Sequence, residues 1–383
     1  MERAGAGTDP PFARENALPE RILPGHTMCV QVCMLARSLS RIGFGMFAIG
    51  SLAAFAPGCA AESDDPTNEG EGEDDYTRKK GKLQLVVTVD WEGRDLREDN
   101  IKAMENLRTR FPQVKIIHFL NAAYYTKQAA NRADVTARIN RPLRAGDEKA
   151  LHIHGWKRLF EASGATFVST PTFWGTSIDA RGRECMEDCG HEVPISLYAT
   201  PELRKVVKFS LDTLESNGFG RAKSFRCGGW MAKPSVRDAI AAEGLAFEHS
   251  AVPTVFLQAK LGTQPVYGWL SELWQGTTSV SQPYTITTAS TPLTEVPDNG
   301  GLADYVGTQQ MMDVFHANRD VFNRDRRKNV VVSVGFHEET AASYLPLLEA
   351  ALTKMFDEAK AEGIPFESAT SEALTLPAAP PSR

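Results

Sequence analysis

The chain has 383 residues, with 48 acidic and 42 basic side chains and a net charge of −6. Residues 1–75 hold 12 of the acidic residues but only 5 of the basic ones, so the remainder of the chain is close to neutral. This balance excludes the broad basic surface of a nucleic-acid-binding protein. The remainder is long enough for one large domain.

The first 33 residues show no periodic pattern of apolar side chains and contain Pro10-Pro11 among scattered charges. A typical export signal does not begin in this way. We interpret residues 1–33 as an over-extended, disordered translation start, with the true start at Met34 or Met28.

Residues 34–59 are typical of a bacterial export signal, in which a positive segment precedes an apolar one. Their last four residues, Ala56-Pro57-Gly58-Cys59, are similar to the site at which bacterial lipoproteins are cleaved and lipidated. Cleavage after Ala61 and an uncleaved anchor over residues 42–61 are the alternatives. We expect export to the bacterial cell envelope, with a lipid on Cys59 or with release into the periplasm.

Residues 60–80 are rich in Asp, Glu, Gly and Ser. This composition cannot bury a core and predicts an acidic, flexible linker. Residues 81–375 form the predicted folded domain, and residues 376–383 a disordered tail.

The domain alternates β-branched apolar runs with segments of helical periodicity. Strands are predicted at Leu85–Val89, Val114–Leu120, Ser224–Arg226 and Val330–Val334. Helices are predicted at Asn100–Arg110, Pro201–Ser216, Pro234–Glu243, Leu302–Asn318 and Tyr344–Glu362. Repeated strand–helix units predict an α/β fold with a parallel sheet, of the barrel type, and with its chemistry on the loops after the strands.

The first strand ends in Asp90-Trp91-Glu92-Gly93. Residues two apart on an extended chain point to the same side, so Asp90 and Glu92 could share one site as a base and a metal ligand. An Asp that caps the next helix, beside a solvated Glu, is the alternative interpretation.

Three more predicted strand ends carry ionisable residues. His152 and His154 lie in one of them, Arg226 ends the next, and His337 follows the last. A parallel barrel brings its strand ends together, so we expect these residues to meet Asp90 and Glu92.

The domain contains three cysteines. Cys185 and Cys189 lie in a loop rich in charge and glycine, and an exported protein permits a disulfide between them. A zinc site formed by Cys185, Cys189 and His191 is the alternative. Cys227 is expected to be a small buried side chain.

These strand-end motifs resemble those of the polysaccharide deacetylase family, which has the NodB-homology domain and is similar to carbohydrate esterase family 4. The resemblance covers most of residues 83–373. It implies a deformed (β/α)7–8 barrel and a polysaccharide deacetylase-like catalytic domain. The motifs that carry it are Thr88–Gly93, Leu151–Trp156, Ser224–Trp230, Phe247–Ser250 and Gly335–Glu338.

The resemblance implies a role for each catalytic residue. Asp90 corresponds to the family's catalytic base, Arg226 to the residue that orients it, and His337 to the general acid. The chain departs from the family pattern in its second carboxylate, which is Glu92 rather than an adjacent Asp.

The second motif also departs from the family pattern. The family places two metal-binding histidines four residues apart, but the residue four after His152 is Trp156. We therefore expect His154 to be the partner, and a divalent ion such as zinc to be held by Glu92, His152 and His154. This requires an extended segment, since in a helix the two imidazoles would point apart.

The predicted function is an exported hydrolase that removes N-acetyl groups from a polysaccharide by means of metal-activated water. Trp91, Trp156 and Trp230 lie beside motif residues and are expected to bind substrate, with core packing as the alternative for each. Three other functions remain open. They are a metal-independent amidase or deacetylase of the same fold, a non-enzymatic carbohydrate-binding lipoprotein, and a barrel glycosidase that uses the Asp90 and Glu92 pair.

Overall fold

The computed structural model describes residues 80–178 and 188–374. The over-extended start, the export signal with Cys59, almost all of the linker, Cys185 and the C-terminal tail lie outside the described residues. Within the described part of the chain, no helix combines the length and the apolarity that a bilayer crossing requires.

The strands and helices follow the predicted alternation. The strands are β1 (Leu83–Asp90), β2 (Ile116–Asn121), β3 (Glu148–Ile153), β4 (Ser224–Cys227), β5 (Phe247–Glu248), β6 (Tyr284–Ile286), β7 (Leu293–Glu295), β8 (Val330–His337) and β9 (Phe366–Ser368). The helices are α1 (Glu98–Arg110), α2 (Arg132–Asn140), α3 (Lys157–Ala162), α4 (Thr200–Ser216), α5 (Pro234–Ala242), α6 (Gln258–Leu261), α7 (Pro265–Leu273), α8 (Thr308–Arg324) and α9 (Ala341–Ala361). Each predicted element is present, although α8 begins at Thr308 rather than Leu302.

The strands form one sheet in the order β6-β7-β5-β4-β3-β2-β1-β8. Neighbours are parallel except for β6 and β7, which are antiparallel. β9 pairs with the first residues of β1, and β2 pairs with its last residues. Both therefore lie on the edge of β1 opposite β8. This curled, mostly parallel sheet with helices confirms the predicted deformed (β/α) barrel.

The free edge of β8 is closed by side-chain amides instead of another strand. Val331 donates its N–H to Gln282 Oε1 at 2.7 Å, and Ser333 donates to Asn299 Oδ1 at 2.8 Å. The N–H of Gly335 donates to the backbone two residues beyond Asn299. These bonds satisfy an edge that would otherwise be left unpaired.

The two faces of β1 have different surroundings. Odd-numbered residues from Leu83 to Trp91 pack into the large core that includes the helices, whereas Val86 belongs to the small cluster inside the barrel. The extended pairing continues past the strand, because Trp91 donates its N–H to the carbonyl of Phe119 at 3.0 Å. Alternation therefore places Asp90 on the interior face and Trp91 in the outer core.

Candidate active site

The carboxyl ends of β1, β3, β4 and β8 meet at one cavity of about 280 Å³. Asp90 is directly opposite His337 in the sheet, and His152 is directly opposite Arg226. The residues predicted from four separate strand ends are thus brought together. Those that line the cavity are Asp90, Glu92, His152, His154, Trp230 and His337.

Arg226 lies inside the barrel and is fully buried. Its Nη1 donates to Asp90 Oδ1 at 2.9 Å, and its Nη2 lies 3.7 Å from Asp298 Oδ1. Burial lowers the pKa of Arg226, but Asp90 and Asp298 outweigh this effect and leave the pKa above its ordinary value. The guanidinium is therefore a fixed positive charge that orients Asp90.

Glu92 is also buried, but its carboxylate faces imidazoles. Oε2 lies 2.6 Å from Nε2 of His154 and 2.7 Å from Nε2 of His191. Oε1 lies 3.3 Å from Nε2 of His337 and 3.6 Å from Nε2 of His152. Burial raises the pKa of Glu92, but the imidazoles of His154, His152 and His191 lower it well below its ordinary value.

The contacts of Nδ1 in His152 and His154 determine that Nε2 of each ring faces Glu92. Nδ1 of His152 contacts the carbonyl oxygen of Arg226 at 2.8 Å, and Nδ1 of His154 contacts that of His191 at 2.7 Å. A carbonyl oxygen only accepts, so both Nδ1 atoms carry the hydrogen. A neutral ring would therefore present the lone pair of its Nε2 to the carboxylate. Burial lowers the pKa of His154, but Glu92 outweighs this effect and raises the pKa above its ordinary value.

A cation between these groups would relieve that contact. Histidine ligands of metals ordinarily donate their outer N–H to a carbonyl or carboxylate, as His152 and His154 do. Within the described residues, the buried Nε2 of His152 has no hydrogen-bond partner. Two imidazoles and a carboxylate are a common donor set for zinc, so the residue types fit a divalent ion.

Distances alone also group His191 with this site. The ligand atoms of Glu92, His154 and His191 lie within 4.8 Å of one another, as do those of Asp90, Glu92 and His152. The two groups share Glu92, but neither contains both His152 and His154, which face different oxygens of its carboxylate. His191 follows Cys189, which is disulfide-bonded and so cannot be the thiolate of the alternative zinc site.

His337 is held by a carboxylate that the sequence did not reveal. Its Nδ1 lies 3.0 Å from Asp304 Oδ1. Burial lowers the pKa of His337, but Asp304 and Glu92 raise it to about 10. The ring is therefore an imidazolium at neutral pH, with its Nε2–H directed into the cavity.

The turn after β4 brings the wall of the cavity close to His154. A Cβ on Gly228 would lie 2.7 Å from the His154 ring, so only glycine fits there. Trp230, two residues later, has a φ of 56°, which bulky residues rarely adopt. Its indole donates to Asp298 at 3.2 Å, which holds the ring against the cavity.

The expectation that three tryptophans bind substrate needs correction. Trp91 is fully buried in the outer core and donates to His118 at 3.3 Å, because alternation turns it away from Asp90 and Glu92. Trp156 is buried too, does not line the cavity, and donates to the carbonyl of Glu92 at 2.8 Å. Trp230 lines the cavity, and its contact with substrate stays a prediction. Cys227 is free and buried, as expected.

No protein-family model and no curated protein matches the chain. Solved structures do resemble its fold. A family 4 carbohydrate esterase from Streptomyces lividans matches with a TM-score of 0.36 and 12% identity, over 76% of this chain and 92% of that one. The chitin deacetylase of Colletotrichum lindemuthianum matches with a TM-score of 0.39 and 8% identity, over 76% and 87%.

A carbohydrate esterase family 4 pseudoenzyme from Bacillus anthracis also matches, with a TM-score of 0.37 and 10% identity, over 77% of this chain and 66% of that one. The chemistry proposed below depends on the side chains of this chain.

Proposed function

We propose that the chain is a hydrolase that removes N-acetyl groups from a polysaccharide. A divalent ion, zinc by its donor set, is held by Glu92, His152 and His154. The observation that carries the proposal is that both imidazoles turn their Nε2 atoms towards one buried carboxylate while their Nδ1 atoms contact carbonyl oxygens. Asp90, which pairs with the guanidinium of Arg226, lines the same cavity.

The chemistry supplied there by a divalent ion is Lewis acidity, which acidifies the attacking water and polarises the amide carbonyl. Asp90 accepts the proton of that water. Its Oδ1 is occupied by Arg226, which leaves Oδ2 for this transfer. Arg226 holds the carboxylate aimed at the cavity.

His337 supplies a proton at the other end of the reaction. An amide nitrogen leaves readily only as a neutral amine, so it must be protonated as the C–N bond breaks. Asp304 fixes the ring and favours its imidazolium form, and the Nε2–H on the cavity side donates to the departing nitrogen.

A second cavity supports a substrate longer than one sugar. It has a volume of about 790 Å³ and shares Arg94 with the catalytic cavity. Polar side chains such as Gln128 and Asn131 line it and are suited to sugar hydroxyls. Export to the cell envelope and the lipid on Cys59 belong to this proposal, and mass spectrometry of the mature N-terminus tests them.

The function is tested by measuring acetate release from N-acetylated and O-acetylated polysaccharides. The protein is first treated with a chelator and then reloaded with zinc, cobalt or manganese. We expect release from an N-acetylated polymer that is lost on chelation and restored by metal. Full activity of the metal-free protein would remove the metal from the mechanism, and the absence of release from every polymer would reject the hydrolase.

A further inference from the structure

Arg94, His191 and Glu92 form a chain of hydrogen bonds at the mouth of the cavity. Nη2 of Arg94 donates to Nδ1 of His191 at 3.4 Å. Nε2 of His191 lies 2.7 Å from Glu92 Oε2. This pattern is the reverse of that at His152 and His154, whose Nδ1 atoms face carbonyl acceptors.

The partner of its Nδ1 assigns the tautomer of His191. A guanidinium has only donors, so Nδ1 must present its lone pair to Arg94. The hydrogen of the neutral ring is then on Nε2, where it donates to Glu92. A nitrogen that carries a hydrogen cannot bind a metal, and the contact with Glu92 is complete without an ion.

We propose that His191 is a positioning residue for the metal site and not a third imidazole ligand. Its Nε2–H holds Oε2 of Glu92 in place, and Arg94 fixes the tautomer that makes this possible. The inference rests on the metal site of the proposed function. It assigns opposite roles to two imidazoles that stack 4.0 Å apart, since His154 binds the ion and His191 does not.

The backbone of His191 supports the same role. Its carbonyl oxygen accepts from Nδ1 of His154 and so keeps the lone pair of His154 on Nε2. One residue therefore orients two of the three ligands, one through its carbonyl and the other through its ring. The carbonyl of Cys189 accepts from Lys157 at 2.6 Å, which fixes this segment to the start of α3.

The rest of Glu92 is held in an equivalent way. Its carbonyl oxygen accepts from Trp156 at 2.8 Å and from Asn121 at 3.1 Å. Arg94 lies over the Trp156 ring and pairs with Glu339 at 3.2 Å. Both ends of the ligand are thus fixed before an ion binds, which is the ordinary effect of groups that support a metal ligand.

Two substitutions distinguish a donor from a ligand. His191→Gln retains an N–H that can reach Glu92, whereas His191→Leu has no donor. We expect His191→Leu to weaken zinc affinity about 10–100-fold, as loss of a supporting hydrogen bond does. We expect His191→Gln to retain most of the affinity. Affinity is measured by competition with a chromophoric chelator, with thermal unfolding as the test of folding.

The cobalt-substituted protein provides a second readout. Because the proposed ligand set omits His191, the visible spectrum of bound cobalt should be the same in the wild type and in His191→Gln. Equal losses of affinity in both variants, with a changed cobalt spectrum in His191→Gln, would make His191 a ligand. Native affinity in His191→Leu would show that it has neither role.

His316 gives a matched control. It pairs with Glu358 at 2.7 Å on the half-exposed face of α8. The same two substitutions there should leave zinc affinity unchanged. A wild-type protein that binds no ion would contradict the proposed function, whereas normal zinc binding in His191→Leu would contradict only the positioning role.

Arg94→Met tests the tautomer. In the wild-type background it removes the donor to Nδ1, so zinc affinity should fall, by less than in His191→Leu. In the His191→Gln background its effect should be smaller, because the amide has no tautomer to fix and only the contacts of Arg94 with Trp156 and Glu339 are lost. Equal effects in the two backgrounds would overturn the role of Arg94.

Discussion

Asp90 and Glu92 are separated by one residue and are both buried, yet their surroundings differ in kind. Asp90 faces a guanidinium that is shared with Asp298. Glu92 faces four imidazoles from three different parts of the chain. An arginine does not give up its proton and holds Asp90 by one oxygen, which leaves the other free to accept a proton. An imidazole can give up its proton and bind a cation instead, as proposed for His152 and His154. The proposed roles of Asp90 as a base and Glu92 as a ligand therefore follow from the side chains around each carboxylate and not from the carboxylates themselves.

The largest expected effects come from exchanging each carboxylate for its amide. Asp90→Asn and Glu92→Gln should both reduce kcat strongly, by about 10²–10⁴-fold for the loss of the base. Only Glu92→Gln should lose the metal, because Asp90 is not among the proposed ligands. Elemental analysis after dialysis, beside acetate release, separates the two variants.

Glu98→Gln serves as the control for this exchange. Glu98 is an exposed carboxylate on α1 that pairs with Arg141, so both activity and metal content should be unchanged. Loss of metal in Asp90→Asn would place Asp90 among the ligands and would remove the contrast with Glu92.

A smaller effect is expected at the general acid. Asp304 raises the pKa of His337, so Asp304→Asn should lower that pKa by about 1–3 units, as loss of an adjacent opposite charge does. Catalysis needs the protonated ring, and activity falls as pH rises through its pKa. The alkaline limb of the profile of kcat against pH should therefore move to lower pH. An unmoved alkaline limb in this variant would mean that His337 is not the acid.

The parts of the site that the sequence predicts are those that lie on extended chain. Alternation along β1 indicates that Asp90 and Glu92 share a side, and the same rule applies to His152 and His154 at the end of β3. The parallel order of the strands then brings these ends together. Both inferences depend only on the repeat of a strand, which the sequence displays.

His191 and Asp304 could not be found in this way. Each lies in an irregular segment, where no periodicity relates sequence position to direction. Asp304 reaches His337 because its segment pairs with the edge of β8. The short strands β6 and β7 were missed for a similar reason, since they are too brief for a pattern to develop.

The smallest expected effect on activity concerns Trp91, which lies between the two carboxylates. Its indole donates to Nδ1 of His118, and that bond is buried. Trp91→Phe leaves this nitrogen without a partner, so the free energy of unfolding should fall by about 1–3 kcal/mol. Since the ring points away from the cavity, kcat/KM and zinc affinity should stay close to those of the wild type.

Trp156→Phe is the matched comparison, because that indole donates directly to the carbonyl of Glu92. It should cost a similar amount of stability in denaturant unfolding but should also weaken zinc affinity. If Trp91→Phe reduced zinc affinity as much as Trp156→Phe, a change on the outer face of β1 would affect the metal site despite the alternation of side chains. The two carboxylates would then depend on the residue between them as well as on their separate neighbours.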